Sequence, residues 1–102
     1  MLLISCGFLV NQQERLCHYY EEAKDFNYSG TIHHAYLDTL NHNFRRVDLE
    51  SGKTVYLNID RSGLFEYLEP GDSIVKTKGS YEVLLFRNDL DTAFLMDYGC
   101  NQ

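Results

Sequence analysis

The chain reads as a mainly β domain of the α+β kind, with one N-terminal α-helix packed on a small antiparallel five- to six-stranded β-barrel or strongly curled sheet. Three observations predict it. From Gly30 onward apolar residues recur at every second position, in short runs separated by Gly, Asn, Asp and Ser. Between residues 11 and 27 they recur at three- and four-residue spacing instead. The only proline stands beside a glycine at Pro70-Gly71, which forces a turn within the β region.

At 102 residues, 44% of them apolar and 14% aromatic, the chain makes one domain with a single modest core, and disorder is not expected. Residues 1–10 form an apolar leader, and residues 11–102 hold the domain, its helix at 11–27 and its β region at 30–99. Nine Lys and Arg against fifteen Asp and Glu give a net charge of -6, with no basic run longer than Arg45-Arg46. Phosphate backbones attract clustered positive charge, so no nucleic-acid partner is expected. No apolar run approaches the ~20 residues that a membrane-crossing helix needs.

Within the helical stretch, Asn11 followed by Glu14 fits a capping box, each side chain satisfying a backbone donor. Leu16, Tyr19, Tyr20, Ala23 and Phe26 form one apolar stripe, and Gly30 is expected to end the element. Strands are expected at Thr31 to Asp38, Phe44 to Glu50 and Thr54 to Ile59, the last two joined by a tight Ser51-Gly52 hairpin. There Val47, Leu49, Val55, Leu57 and Ile59 share one face, while Arg46, Asp48, Thr54, Tyr56 and Asn58 share the other. Leu64, Phe65 and Leu68 are too crowded for an open loop and predict a helical turn that plugs one end of the barrel. Ser73 to Lys76, Tyr81 to Arg87 and Thr92 to Tyr98 complete the set of strands. So few strands hide their edges only by curling closed or by pairing with another chain.

The first ten residues are uncharged, and within them Leu3-Ile4-Ser5-Cys6 resembles the lipobox of bacterial lipoproteins. That resemblance implies a diacylglyceryl group on Cys6, cleavage just before it, and attachment to a membrane through the acyl chain. No Lys or Arg precedes the motif, so a second reading stands beside it, in which the segment from Leu2 to Val10 docks on the core as a strand or helix start. Farther on, the hairpin Val47 to Ile59, the Leu64-Phe65 crossing, Gly71-Asp72-Ser73-Ile74 with Lys76, Gly79-Ser80 and the closing Leu84-Leu85-Phe86-Arg87 resemble a group of small lipoproteins of Bacteroidota. In that group a Gly-Asp-Ser-Ile-x-Lys phrase precedes a Gly-Ser turn and a strand ending in Arg. The resemblance implies a bacterial cell-envelope address, facing periplasm or surface, and no activity. The alternative address is cytoplasmic.

No residue set predicts catalysis. Gly71-Asp72-Ser73-Ile74 resembles the Gly-Asp-Ser-Leu block of a hydrolase family, but that chemistry needs a downstream histidine, and His18, His33, His34 and His42 all lie upstream of Ser73. His33 and His34 are adjacent and would point to opposite faces of a strand. A metal site from His34, His42 and Asp38 is weaker than the reading of solvated histidines at a strand edge, so neither metal nor cofactor is expected. Cys17 and Cys100 either form a disulfide in an oxidising compartment, pinning the helix to the last strand, or pack as two buried thiols. Asp38-Thr39-Leu40 and Asp91-Thr92-Ala93 resemble the Bacteroidota O-glycosylation acceptor, which makes Thr39 and Thr92 candidate sites. The plainer reading is that such pairs cap turns.

The expected function is therefore that of a non-enzymatic envelope accessory or binding module, lipid-anchored through Cys6, touching another envelope protein or a polymer. Two alternatives stand beside it: a soluble homo-oligomeric subunit with residues 1–10 as its interface, and a serine hydrolase using Ser73. Oligomeric state is open.

Overall fold

The computed structural model describes residues 14–40 and 42–100. Residues 14–24 form helix α1. Six strands and one short helix follow: β1 (Tyr28–Asp38), β2 (Phe44–Leu49), β3 (Thr54–Asn58), α2 (Leu64–Tyr67), β4 (Ser73–Lys76), β5 (Glu82–Arg87) and β6 (Leu90–Leu95). The leader, and the Asn11 half of the capping box, lie outside the described residues.

All six strands join one antiparallel sheet in the order β3-β2-β1-β4-β5-β6. The long β1 serves both halves: Tyr28 to Thr31 pair with β4, and Ile32 to Asp38 pair with β2. Between Ile32 and His34 the register shifts by a β-bulge, which bends the strand where it changes partners. Gly30 lies inside β1, at φ 154° and facing Leu49, and does not end the helix as its residue type suggested.

The barrel expectation needs correction. No ladder joins β3 to β6, and the sheet stays open. Asn58 takes a left-handed φ of 54°, which turns the chain out of line as β3 ends. The two ends of the sheet meet at a corner where Arg61 N donates to Asp97 O (2.6 Å) and Asp97 N to the Asp60 carboxylate (2.8 Å).

The core lies against one face of the sheet. Ile32, Val47, Leu49, Val55, Leu57, Ile74, Val83 and Leu85 come from the strands, and Leu64 and Leu68 from the α2 crossing. Helix α1 adds buried Ala23, while Tyr19, Tyr20 and Phe26 pack against the cluster. Tyr20 stacks on Tyr81 with ring centroids 3.9 Å apart, and Tyr19 meets Phe44 edge-on.

The β2–β3 hairpin shows how turn chemistry sets the faces. Gly52 N donates to Leu49 O, and Leu49 N to Lys53 O, so the loop is Glu50-Ser51-Gly52 with Gly52 in the left-handed region at φ 94°. This three-residue loop replaces the two-residue turn expected from Ser51-Gly52. A side chain at Gly52 would meet open space, so its cost is in the backbone alone. Gly52→Ala is expected to lower stability by about 1 kcal/mol in urea titration, with the hairpin amides exchanging faster.

Candidate functional site: a polar and aromatic face on the β1–β2–β3 half-sheet

Alternation in β2 and β3 buries Val47, Leu49, Val55 and Leu57 and turns Arg46, Asp48, Thr54 and Tyr56 to the other face. Asn58, expected with them, instead pairs with Arg45 beyond the register shift and lies beside the buried Tyr98. The registers then build rows across three strands. Tyr36, Arg46 and Tyr56 form one, and His34, Asp48 and Thr54 the next. The Arg46 guanidinium lies 4.4 Å over the Tyr56 ring, and its Nε donates to Asp38 at 2.7 Å. Thr54 donates to Asp48 at 2.9 Å, and His34 stacks on Tyr36 at 5.2 Å. The face therefore carries ring surfaces, a held guanidinium and carboxylates in a fixed order.

Beside these rows lies an open depression of about 500 Å³ lined by His33, Asp48, Leu49, Glu50, Gly52 and Thr54. Its shape comes from the bulge and the hairpin loop. The extra residue at the bulge is His33, and both His33 and His34 are exposed. Strict alternation would have sent them to opposite faces, and the shifted register is why it does not.

Besides Arg46, which is itself buried, three further buried charged groups support the architecture. Asp72, 3% exposed, accepts from Arg87 Nε (2.8 Å), Arg87 Nη2 (2.7 Å) and Glu69 N (2.8 Å). The Arg87 hydrogen bonds hold its carboxyl below the ordinary range against the opposing effect of burial. Lys76 donates to Lys24 O (3.0 Å) and Phe26 O (2.8 Å), tying the chain just past α1 to β4. Burial lowers its ammonium pKa, and Asp25 pushes it back up. Asp60 accepts from Ser62 N, Ser62 Oγ and Asp97 N at the corner where the sheet ends meet. Burial, with the Asp60 charge behind it, raises the phenol pKa values of Tyr28 and Tyr98.

The other singled-out residues scatter. A disulfide joins Cys17 of α1 to Cys100, with Cα atoms 4.9 Å apart, and so fastens the helix to the segment after β6. Thr39 sits exposed in the turn after β1. Thr92 lies within β6, not in a turn, and its hydroxyl is 3.5 Å from Tyr67 Oη. Ser73 opens β4 opposite Thr31 and Phe86, and no hydrogen bond links it to a histidine among the described residues. Asp38, the carboxylate considered with His34 and His42, is engaged by Arg46. No group of three His, Cys, Asp or Glu side chains among the described residues could hold a metal ion. Cys6 lies outside the described residues.

Sequence reasoning placed Arg46 and Tyr56 on one face but missed their row with Tyr36, which depends on the β1–β2 register. It also passed over the Asp72–Arg87 pair and buried Lys76. A signal for Lys76 existed: it falls in phase with buried Ile74.

Fold and face together define a small disulfide-linked α+β domain with an open antiparallel sheet and a polar, aromatic face on its β1–β2–β3 half. Comparison with protein-family models, curated proteins and solved structures finds no match to the chain.

Proposed function

We propose that the protein is a non-enzymatic binding module of the bacterial cell envelope, held at a membrane by an acyl chain on Cys6. It presents the Tyr36–Arg46–Tyr56 face to another envelope protein or a polymer. The observation that carries the binding role is that face: rings and hydrogen-bonding groups in fixed register beside an open depression. The Cys17–Cys100 disulfide supports the envelope address, since such bonds persist in oxidising compartments. Asp72, Lys76 and Asp60, the buried ionisable groups most suggestive of chemistry, are engaged in holding turns and helix ends.

Two measurements test the parts separately. Cys6→Ala is expected to move the protein from the membrane fraction to the soluble fraction; equal partitioning of both forms sinks the anchor. Joint replacement Tyr36→Ala and Tyr56→Ala is expected to reduce retention on isolated envelope material by about tenfold, equivalent to ~1.4 kcal/mol, with little change in the urea midpoint. Unchanged retention sinks the face.

A further inference from the structure

We propose that β6 is the seam of a two-fold dimer, in which the edge strands of two copies pair antiparallel and join two six-stranded sheets into one. The proposal concerns the opposite half of the sheet from the polar face and stands independently of it.

An open sheet leaves two edges to manage. At one, β3, the ladder to β2 shifts register between Arg45 and Arg46, and the strand ends at left-handed Asn58. Both devices blunt an edge against pairing. At the other, β6 pairs with β5 over six consecutive positions with no shift. It carries no Lys, no Pro and one charge, Asp91, while Leu90 and Leu95 are 63% and 67% exposed.

The backbone geometry of that edge follows from its hairpin. Arg87 and Leu90 close a two-residue turn, so they exchange both hydrogen bonds, and Leu90, Thr92 and Phe94 direct their backbone groups toward β5. Asp91, Ala93 and Leu95 then direct theirs outward. The side chains of Ala93 and Leu95 lie on the face opposite the core, where Val75, Leu84 and Ala93 form an apolar cross-strand row.

A second copy suits this edge. A two-fold axis at Ala93 sets Ala93 against Ala93 of the partner subunit, brings the two apolar rows side by side and places each Asp91 opposite a leucine. The two Asp91 carboxylates are thereby kept apart. Six residues of strand edge with these few side chains fall at or below the ~1,200 Å² of the smaller specific interfaces, so association is weak and reversible. Each copy carries a net charge of -6, so salt strengthens the pairing by screening repulsion. A basic foreign strand seated on the same edge would respond in the opposite sense.

The test is sedimentation of the 102-residue chain from about 1 μM to about 1 mM at low and high salt, with amide exchange followed in parallel. The expected result is a shift to twice the protomer mass within this range, favoured by salt, with the Asp91, Ala93 and Leu95 amides slowing as the dimer fills. Ala93→Pro removes only an outward donor, and Leu95→Glu sets a second carboxylate opposite Asp91 of the partner subunit, where like charges repel. Each is expected to remain monomeric at concentrations about tenfold above the wild-type midpoint. A wild-type chain monomeric throughout overturns the proposal, as does a dimer that persists in both variants. Slowing of those amides only when an extended peptide is added overturns it as well.

Discussion

Reduction of the Cys17–Cys100 disulfide is expected to lower the stability by about 4.5 kcal/mol, the loop-closure value for a bridge spanning 83 residues of sequence. That is a large share of the ~5 to 15 kcal/mol by which single domains are stable. The bridge ties α1 to the chain end after β6, whereas the residues just past α1 are held by Lys76, and Gly79 N donates to Lys24 O at 2.7 Å. Reduction therefore frees one end of the helix while the other stays pinned. Urea titration with and without reductant measures the effect, and the replacement Cys17→Ala with Cys100→Ala should reproduce it. The midpoint is expected to fall and the slope to steepen, because the unfolded chain expands once the loop is cut. Coincident curves would show that the bridge does not constrain the unfolded chain.

Asp72→Ala is expected to cost about 3 kcal/mol, a melting-point fall of roughly 15 °C, because three hydrogen bonds converge on a carboxylate that is almost fully covered. Arg87 would lose its bidentate partner, and Glu69 N its acceptor beside the Pro70-Gly71 corner. The neighbouring Ser73→Ala should change stability by no more than ~0.5 kcal/mol, since Ser73 sits half-buried, out of phase with the buried Ile74 and Lys76. The pH dependence has a definite sign. Arg87 holds the folded-state pKa of Asp72 below its ordinary value of 3.8, so the unfolded chain binds the proton more readily. The contribution is complete above that value and is lost as pH falls toward the folded pKa. Acid unfolding of the wild type between about pH 4 and pH 2 should be steeper than that of Asp72→Asn, which cannot titrate there. Equal slopes would remove Asp72 as the acid-sensitive group.

That pair also accounts for the phrase Gly71-Asp72-Ser73-Ile74-Val75-Lys76 and the arginine that closes β5. Gly71 takes a φ of 96°, Asp72 grips Arg87, Ile74 fills the core and Lys76 ties down the residues after α1. Read as a string, the phrase resembles a serine-hydrolase block; read in space, its charged members, Asp72 and Lys76, are anchors.

The spacing of apolar residues was sufficient, from the sequence alone, for the class of the domain, the helical stretch, the presence of the β2–β3 hairpin and the helical crossing at Leu64. These depend on which side of a strand or helix each residue occupies, and the spacing of apolar residues reports that directly. Closure of the sheet, the exposure of both His33 and His34, and the rows that bring Tyr36 to Arg46 and Asp72 to Arg87 were decided only by tertiary structure. Each depends on the register between paired strands, and a single bulge or one left-handed residue such as Asn58 changes register without altering the local hydrophobic pattern.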